Sequence, residues 1–231
     1  MGEPLVQIAR SGVIVSSDDM VRVLAGRFAA CHAITIERLL EPFLLEWVLR
    51  ALQTAPFTRR VHERDAAPDR AESDRVFAVD MCLDDRDLVG QLMFLINDLD
   101  LFRLIERVTA CRPIGCFVGT VFRLEGKTDQ HDNWHDDMCQ DRLVALSLNL
   151  SPVPFKGGVL QIRDRHTKRI LNEVANTGLG DAVLFRISDG LQHRATAVEE
   201  GPARTVLAGW FCATPSYLET IKATRTVAWA S

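Results

Sequence analysis

The feature that most constrains this chain is a change of hydrophobic period at Pro113. Before it, apolar residues recur mainly at helical spacing. From Pro113 to Pro215 nearly every segment alternates with period two and is bounded by Gly, Pro, Asp or Asn. The strand-like runs are Pro113 to Leu124, Arg142 to Leu150, Val159 to Arg163, Arg169 to Val174, Ala182 to Ile187, His193 to Val198 and Ala203 to Cys212. Many short strands with frequent turns predict a sandwich or barrel.

The N-terminal part reads differently. Ser17 and the acidic pair after it form a capping sequence, and Met20, Val23, Leu24 and Phe28 then fall at helical spacing. The run A-I-T-I follows. Pro42 fits a first helical turn ahead of a stripe of Leu45, Val48, Leu49 and Leu52, with Trp47 expected in the core. Thr58 to Arg75 is highly charged and aperiodic, which predicts a loop or irregular hairpin, a solvated connection in preference to a lid. His62 within it has no ligand-like spacing. V-F-A-V-D-M reads as a strand, and Asp84 to Val108 as two short helices broken around Asn97 to Asp100.

With no repeat and no dividing linker, one domain over residues 1–231 is expected: mainly helical over 1–112, a β core over 113–215 and a C-terminal tail over 216–231. A hydrophobic content of 47% with 25% charged residues is that of a soluble globular protein. A formal net charge of -4 offers no reason to expect nucleic acid or an anionic membrane as partner. The six cysteines are scattered without a C-x-x-C pair, so the reducing cytosol is the simplest setting, and Cys139 reads as a small buried hydrophobe. No export signal or membrane span is expected.

The chemistry concentrates in T-D-Q-H-D-N-W-H-D-D, Thr128 to Asp137. On an extended strand His135 and Asp137 point to the same side, so an imidazole and a carboxylate can converge on one ion. His193, beside a turn and apolar strands, offers a third ligand. Two histidines and one carboxylate leave coordination positions open, as in a non-haem iron(II) oxygenase. Arg204 shares a strand face with Val206, Ala208 and Trp210. If that face is internal, its guanidinium needs an anion, either an internal carboxylate or a bound one.

In order, the chain presents H-x-D, then Arg142 with S-L-N at Ser147 to Asn149, then Gly157 and Gly158, then G-D-A-V-L-F ending at Phe185. His193 follows, and then G-P-A-R-T-V-L-A-G-W-F ending at Phe211. This pattern resembles the iron(II)/2-oxoglutarate-dependent oxygenase family, in particular its prolyl-4-hydroxylase-like branch. The resemblance implies an α+β, mainly β fold: a double-stranded β-helix (jelly-roll or cupin-like) core buttressed by the N-terminal helices. It implies Fe(II) held by His135, Asp137 and His193, and 2-oxoglutarate gripped at its distal carboxylate by Arg204. O2 is a further cosubstrate, and a need for ascorbate is left open. The implied activity is a dioxygenase that hydroxylates or otherwise oxidises a C-H bond of a small-molecule or protein side-chain substrate, releasing succinate and CO2. The retained Asp137 speaks against halogenating members of the family.

The family tyrosines that help bind 2-oxoglutarate have no counterpart, because the one tyrosine is Tyr217. Arg123 and Ser147 stand near those places, and a pocket rebuilt around Arg123 or Asn149 is expected. Two rival readings are a zinc hydrolase using His131 and His135 on a helix, with Asp132 as base, and a non-catalytic carboxylate-binding protein on the same barrel.

Overall fold

The computed structural model describes residues 4–63, 76–139, 141–175 and 178–215. In chain order its elements are β1 (Val6–Ala9), β2 (Gly12–Val15), α1 (Asp18–Cys31), β3 (Ala33–Ile36), α2 (Pro42–Thr54), β4 (Phe57–Glu63), β5 (Val76–Leu83), α3 (Arg86–Ile96), α4 (Leu99–Thr109) and β6 (Cys116–Leu124). There follow β7 (His131–Asp132), β8 (Arg142–Asn149), β9 (Lys156–Gly157), β10 (Leu160–Asp164), β11 (Ile170–Val174), β12 (Ala182–Arg186), β13 (Leu191–Ala195), β14 (Val198–Glu200) and β15 (Arg204–Cys212).

The major sheet has the order β3-β12-β8-β15-β6-β5-β4, with β7 added on β5. A minor sheet, β11-β10-β13, faces it across a pocket, and β14-β9 form a separate short pair. The pairings within these sheets are antiparallel. This is the curled double-stranded β-helix with N-terminal helices that the sequence led us to expect.

Strand alternation divides the core in two. On β8, Val144, Leu146 and Leu148 join the large core cluster with the helices, while Ala145 and Ser147 line the pocket. On β15, Leu207 and Phe211 belong to the helix-facing cluster, whereas Arg204, Val206, Ala208 and Trp210 line the pocket. The large cluster is closed by Phe102, Phe117 and Phe211, the last ring lying 4.9 Å from Phe117 and 5.9 Å, edge-on, from Phe102.

The helices are set by their caps. Ser17, Asp85 and Asp98 each accept a backbone N–H from the first turn of α1, α3 and α4, satisfying donors that have no partner inside the helix. Asn97, in the expected break, docks that corner on β6: its amide nitrogen donates to the carbonyl of Phe117 and its oxygen accepts from the Phe117 N–H. Trp47 packs against the core as expected.

Two local expectations change. The buried stripe of α1 is Val21, Leu24 and Phe28, and Val23 is 47% exposed; a helix of this length accommodates either stripe, and tertiary contact chooses. On α2 the fully buried positions are Leu44, Val48 and Leu52, with Leu45 and Leu49 at the margin. The loop or irregular hairpin expected from Thr58 is, in its described part, the hairpin strand β4, the sheet edge paired to β5 with a register shift, and the remainder, residues 64–75, lies outside the described residues. Both faces of β4 are largely exposed. Its charged residues therefore hid the alternation, in the manner of an edge protected against further pairing. Residues 216–231, with Tyr217, also lie outside the described residues.

Because Phe211 is fully buried between two other rings, Phe211→Ala is expected to cost about 3–5 kcal/mol of stability. Denaturant unfolding checks this; a loss below about 1 kcal/mol would place the core elsewhere.

Candidate metal centre and its pocket

Strands of both sheets and the loop after β7 build the site. His193 on β13 and His135 in the loop after β7 exchange both backbone hydrogen bonds, His135 N–H to the His193 carbonyl at 3.0 Å and His193 N–H to the His135 carbonyl at 2.8 Å. This isolated bridge stitches the H-x-D loop to the minor sheet. Asp137 then takes a left-handed backbone conformation, φ 54, which Asp tolerates better than most residues. The expected extended strand through His135 and Asp137 is thus corrected: their side chains converge because the chain turns after His135.

The ligand atoms of His135, Asp137 and His193 all lie within 4.8 Å of one another. His193 Nε2 is 3.1 Å from Asp137 Oδ2, and His135 Nε2 is 3.6 Å from Asp137 Oδ1. Bonds of about 2.0–2.2 Å to nitrogen and oxygen place neighbouring ligands about 3 Å apart, so this donor set fits one divalent ion. His135 Nδ1 lies 2.7 Å from the Asn133 carbonyl; as a donor there it leaves Nε2 free to ligate. Asp137 Oδ2 accepts the indole N–H of Trp210 at 2.8 Å, and Arg142 Nη1 is 3.4 Å from Oδ1 while its guanidinium stacks 3.5 Å over the Trp210 ring.

The electrostatics ask for a cation. Burial pushes the Asp137 carboxyl up, but the hydrogen bond and charge of His193, the charge of His135 and the Trp210 indole outweigh it and hold the group well below the usual carboxylate range. Burial pulls His135 down, yet Asp132 and Asp137 together raise it to about 9. A proton on the imidazole therefore occupies the role a metal ion would take, and metal binding would release it.

Arg204 is the second element. It is 9% exposed, its Nη2 lies 3.3 Å from Ser147 Oγ, and its Nε has no hydrogen-bond partner. Among the described residues no carboxylate forms an ion pair with it; burial lowers it to about 10, against the opposing charge of Asp132. Gly158, at φ +60, packs on it so closely that a Cβ would meet Arg204 Cδ at 2.5 Å. The second glycine of the G-G pair is therefore required by the arginine, and the first, Gly157 at φ +80, by the approach of the β14 segment.

Triad and arginine share one cavity of about 270 Å³. Its walls include Ala145, Leu160, Phe185 and Val206, with Phe77, Phe122, His62, Asp80 and Asp132 on the side of β5 and β7. The structure thus brings together His135, Asp137, His193 and Arg204. It does not bring in two others. Arg123 stacks 3.8 Å over Phe57, and the buried Asn149 donates to the Gly178 carbonyl and accepts from Ser151 N–H; neither lines the pocket. Ser147, the other residue near a missing tyrosine, does.

The hydrolase alternative needed His131 and His135 on one helical turn. His131 lies instead on β7, no helix is present between 110 and 139, and His131 is outside the ligand clusters of the described residues. Cys139 is exposed, not a buried hydrophobe. The sequence reading missed Trp210 as a partner of Asp137, although its place on the Arg204 face was visible. It also missed the pairing of His62 with Asp80, whose separation of 18 residues only the β4-β5 hairpin makes local.

Residues 120–212 match the family model of the 2OG-Fe(II) oxygenase superfamily. Over these residues the chain is similar to that superfamily. Solved structures agree in fold. An oxidoreductase of the 2OG-Fe(II) oxygenase family from Burkholderia pseudomallei superposes with TM-score 0.64 at 11% identity, covering 91% of this chain and 97% of its own. A Pseudomonas putida prolyl-4-hydroxylase gives 0.56 at 16%, over 84% and 99%. A Trichoplax adhaerens prolyl hydroxylase in complex with a hypoxia inducible factor peptide fragment gives 0.57 at 14%, over 84% and 90%. A search of curated protein sequences finds no match. The matched stretch contains the convergent His135, Asp137 and His193 cluster.

Trp210→Phe keeps the ring under Arg142 but removes the donor to Asp137. Loss of such a partner to a ligand is expected to weaken metal affinity by about 10–100-fold, measured by anaerobic metal titration; unchanged affinity would show that the indole only fills space. Asn149→Ala, by contrast, is expected to lower stability by about 1–3 kcal/mol through the unsatisfied Ser151 N–H and Gly178 carbonyl, with ligand affinity unchanged in the folded protein.

Proposed function

We propose that this chain is an iron(II)- and 2-oxoglutarate-dependent dioxygenase that hydroxylates, or otherwise oxidises at a C-H bond, a small-molecule or protein side-chain substrate, with release of succinate and CO2. The observation that carries this reading is the position of Arg204: a buried guanidinium, with no ion-pair partner among the described residues, in the same cavity as the His135, Asp137 and His193 cluster. A metal site alone would fit many activities, and an anion site alone would fit a binding protein. Their combination fits a dicarboxylate cosubstrate bound beside a metal ion.

In this mechanism His135, Asp137 and His193 hold the iron, and Asn133 fixes the tautomer of His135 through its carbonyl. Trp210 and Arg142 hold Asp137 in its ligating orientation. Arg204, with Ser147 beside it and Gly158 beneath it, binds the distal carboxylate. When bound, iron with 2-oxoglutarate and O2 supplies the oxidising chemistry. The apolar walls at Ala145, Leu160, Phe185 and Val206 exclude water from the buried end. Phe77 and Phe122 are left to meet the substrate. Residues 1–112 act as the buttress of a core spanning 113–215, in one domain with the tail. No helix among the described residues is long and apolar enough to cross a membrane.

Removing one member of a hydrogen-bonded buried charge pair costs on the order of 3 kcal/mol, so Arg204→Ala is expected to weaken 2-oxoglutarate binding roughly a hundredfold while iron still binds. Lysine restores binding only in part, because a point charge lacks the planar fork. His193→Ala is expected to abolish iron binding and succinate formation together. Anaerobic titration of 2-oxoglutarate into the iron-loaded variants decides: wild-type affinity in Arg204→Ala would make the arginine structural.

A further inference from the structure

The β4-β5 hairpin carries a second convergent donor set. His62 Nε2 is 3.1 Å from Asp80 Oδ1, and Cys82 Sγ is 3.3 Å from that same oxygen. Ligand atoms of all three lie within 4.8 Å of one another. The register explains the convergence: Asp80 and Cys82 are two apart on β5 and share a face, while His62 stands opposite Ala78 and so lies diagonal to Asp80 on that face. His62 and Asp80 line the central cavity, whereas Cys82 is buried behind them at 9% exposure. Along the exposed edge strand β4, only Phe57 and His62 are drawn inward.

We propose that His62, Asp80 and Cys82 form a second metal site, separate from the His135, Asp137 and His193 cluster, for a thiophilic divalent cation of the zinc class. One nitrogen, one oxygen and one sulfur at bond lengths of about 2.0–2.3 Å, arranged tetrahedrally, place the donor atoms about 3–4 Å apart, which matches the two separations observed. Because His62 and Asp80 line the cavity, a fourth ligand would come from there. The donor chemistry separates the two centres: two imidazoles and a carboxylate suit iron, whereas sulfur selects zinc and its soft relatives.

In the metal-free protein the three groups form a hydrogen-bonded set, with Asp80 Oδ1 accepting from both neighbours, and burial with the Asp80 charge pushes the Cys82 thiol up to about 12. On metal entry the Cys82 S–H and His62 Nε2–H bonds break and their electron pairs go to the metal; the thiol proton leaves to solvent, the Nε2 proton leaves to solvent or moves to Nδ1, and no oxidation state changes. The bound ion would tie the edge strand β4 to β5 and fix His62 at the open side of the pocket.

Cobalt(II) titration of the chelator-treated protein, under anaerobic reducing conditions, tests this. Two equivalents are expected in wild type, one of them giving a near-ultraviolet thiolate-to-cobalt charge-transfer band that excess zinc removes. Cys82→Ser should lose the band and keep the other equivalent. His62→Ala, in the exposed hairpin, should weaken cobalt binding at the band-forming site at least tenfold. His193→Ala should lose one equivalent and keep the band. Absence of the band in wild type, its persistence in Cys82→Ser, or its loss in His193→Ala would overturn the second site. Retention of both equivalents in His193→Ala would instead overturn the assignment of the first site and leave the second standing.

Discussion

The site depends on the reciprocal backbone pairing of His135 with His193. These two hydrogen bonds are the isolated bridge between the loop that carries Asp137 and the minor sheet that carries His193. They put the imidazoles 4.3 Å apart between ring centroids. The same loop is also joined to the barrel by the two-residue strand β7, by the Asp132 carboxylate, which accepts the Ala195 N–H, and by the Trp210 indole on Asp137. Asp137 can turn back on the pair because its left-handed conformation is sterically accessible to an aspartate. A bulkier or β-branched residue there would lose both the carboxylate and the turn.

The charges follow from this geometry. The cluster gathers carboxylates and imidazoles on one side of the cavity and a lone buried guanidinium near the other. Each is costly to bury by itself. The carboxylate Asp137 is compensated by His193, Trp210 and Arg142, whereas Arg204, among the described residues, has the Ser147 Oγ at 3.3 Å and the more distant charge of Asp132. In the proposed function a metal cation and a dicarboxylate together would complete both halves. The barrel supports that arrangement through alternation on β8 and β15: each strand sends large apolar side chains into the helix layer and small or functional ones into the pocket.

Much of this was legible in the sequence. The period change at Pro113 marks the β core, the cap at Ser17 marks a helix start, the break around Asn97 to Asp100 separates two helices, and the parity of Arg204, Val206, Ala208 and Trp210 is the observed inward face. What sequence could not show has physical causes. β4 is an edge strand whose exposed faces need no apolar alternation. Asp137 reaches His135 through a turn, which period-two reasoning cannot see. Arg123 and Asn149 were placed by family position, but the cation–π contact of one with Phe57 and the buried loop bonds of the other withdraw them from the cavity. His62, Asp80 and Cys82 meet only through a hairpin register.

The central claim is that one cavity binds a metal ion and 2-oxoglutarate in direct contact, so that each must strengthen the other's binding. The most direct measurement is an anaerobic Fe(II) titration of the wild-type protein with and without saturating 2-oxoglutarate. The account predicts a markedly tighter iron affinity, tenfold or more on the order of typical coupling, when 2-oxoglutarate is present. Equal iron affinity in its presence and absence, with 2-oxoglutarate shown to be bound, would mean that cation and anion sites are independent and would contradict the account.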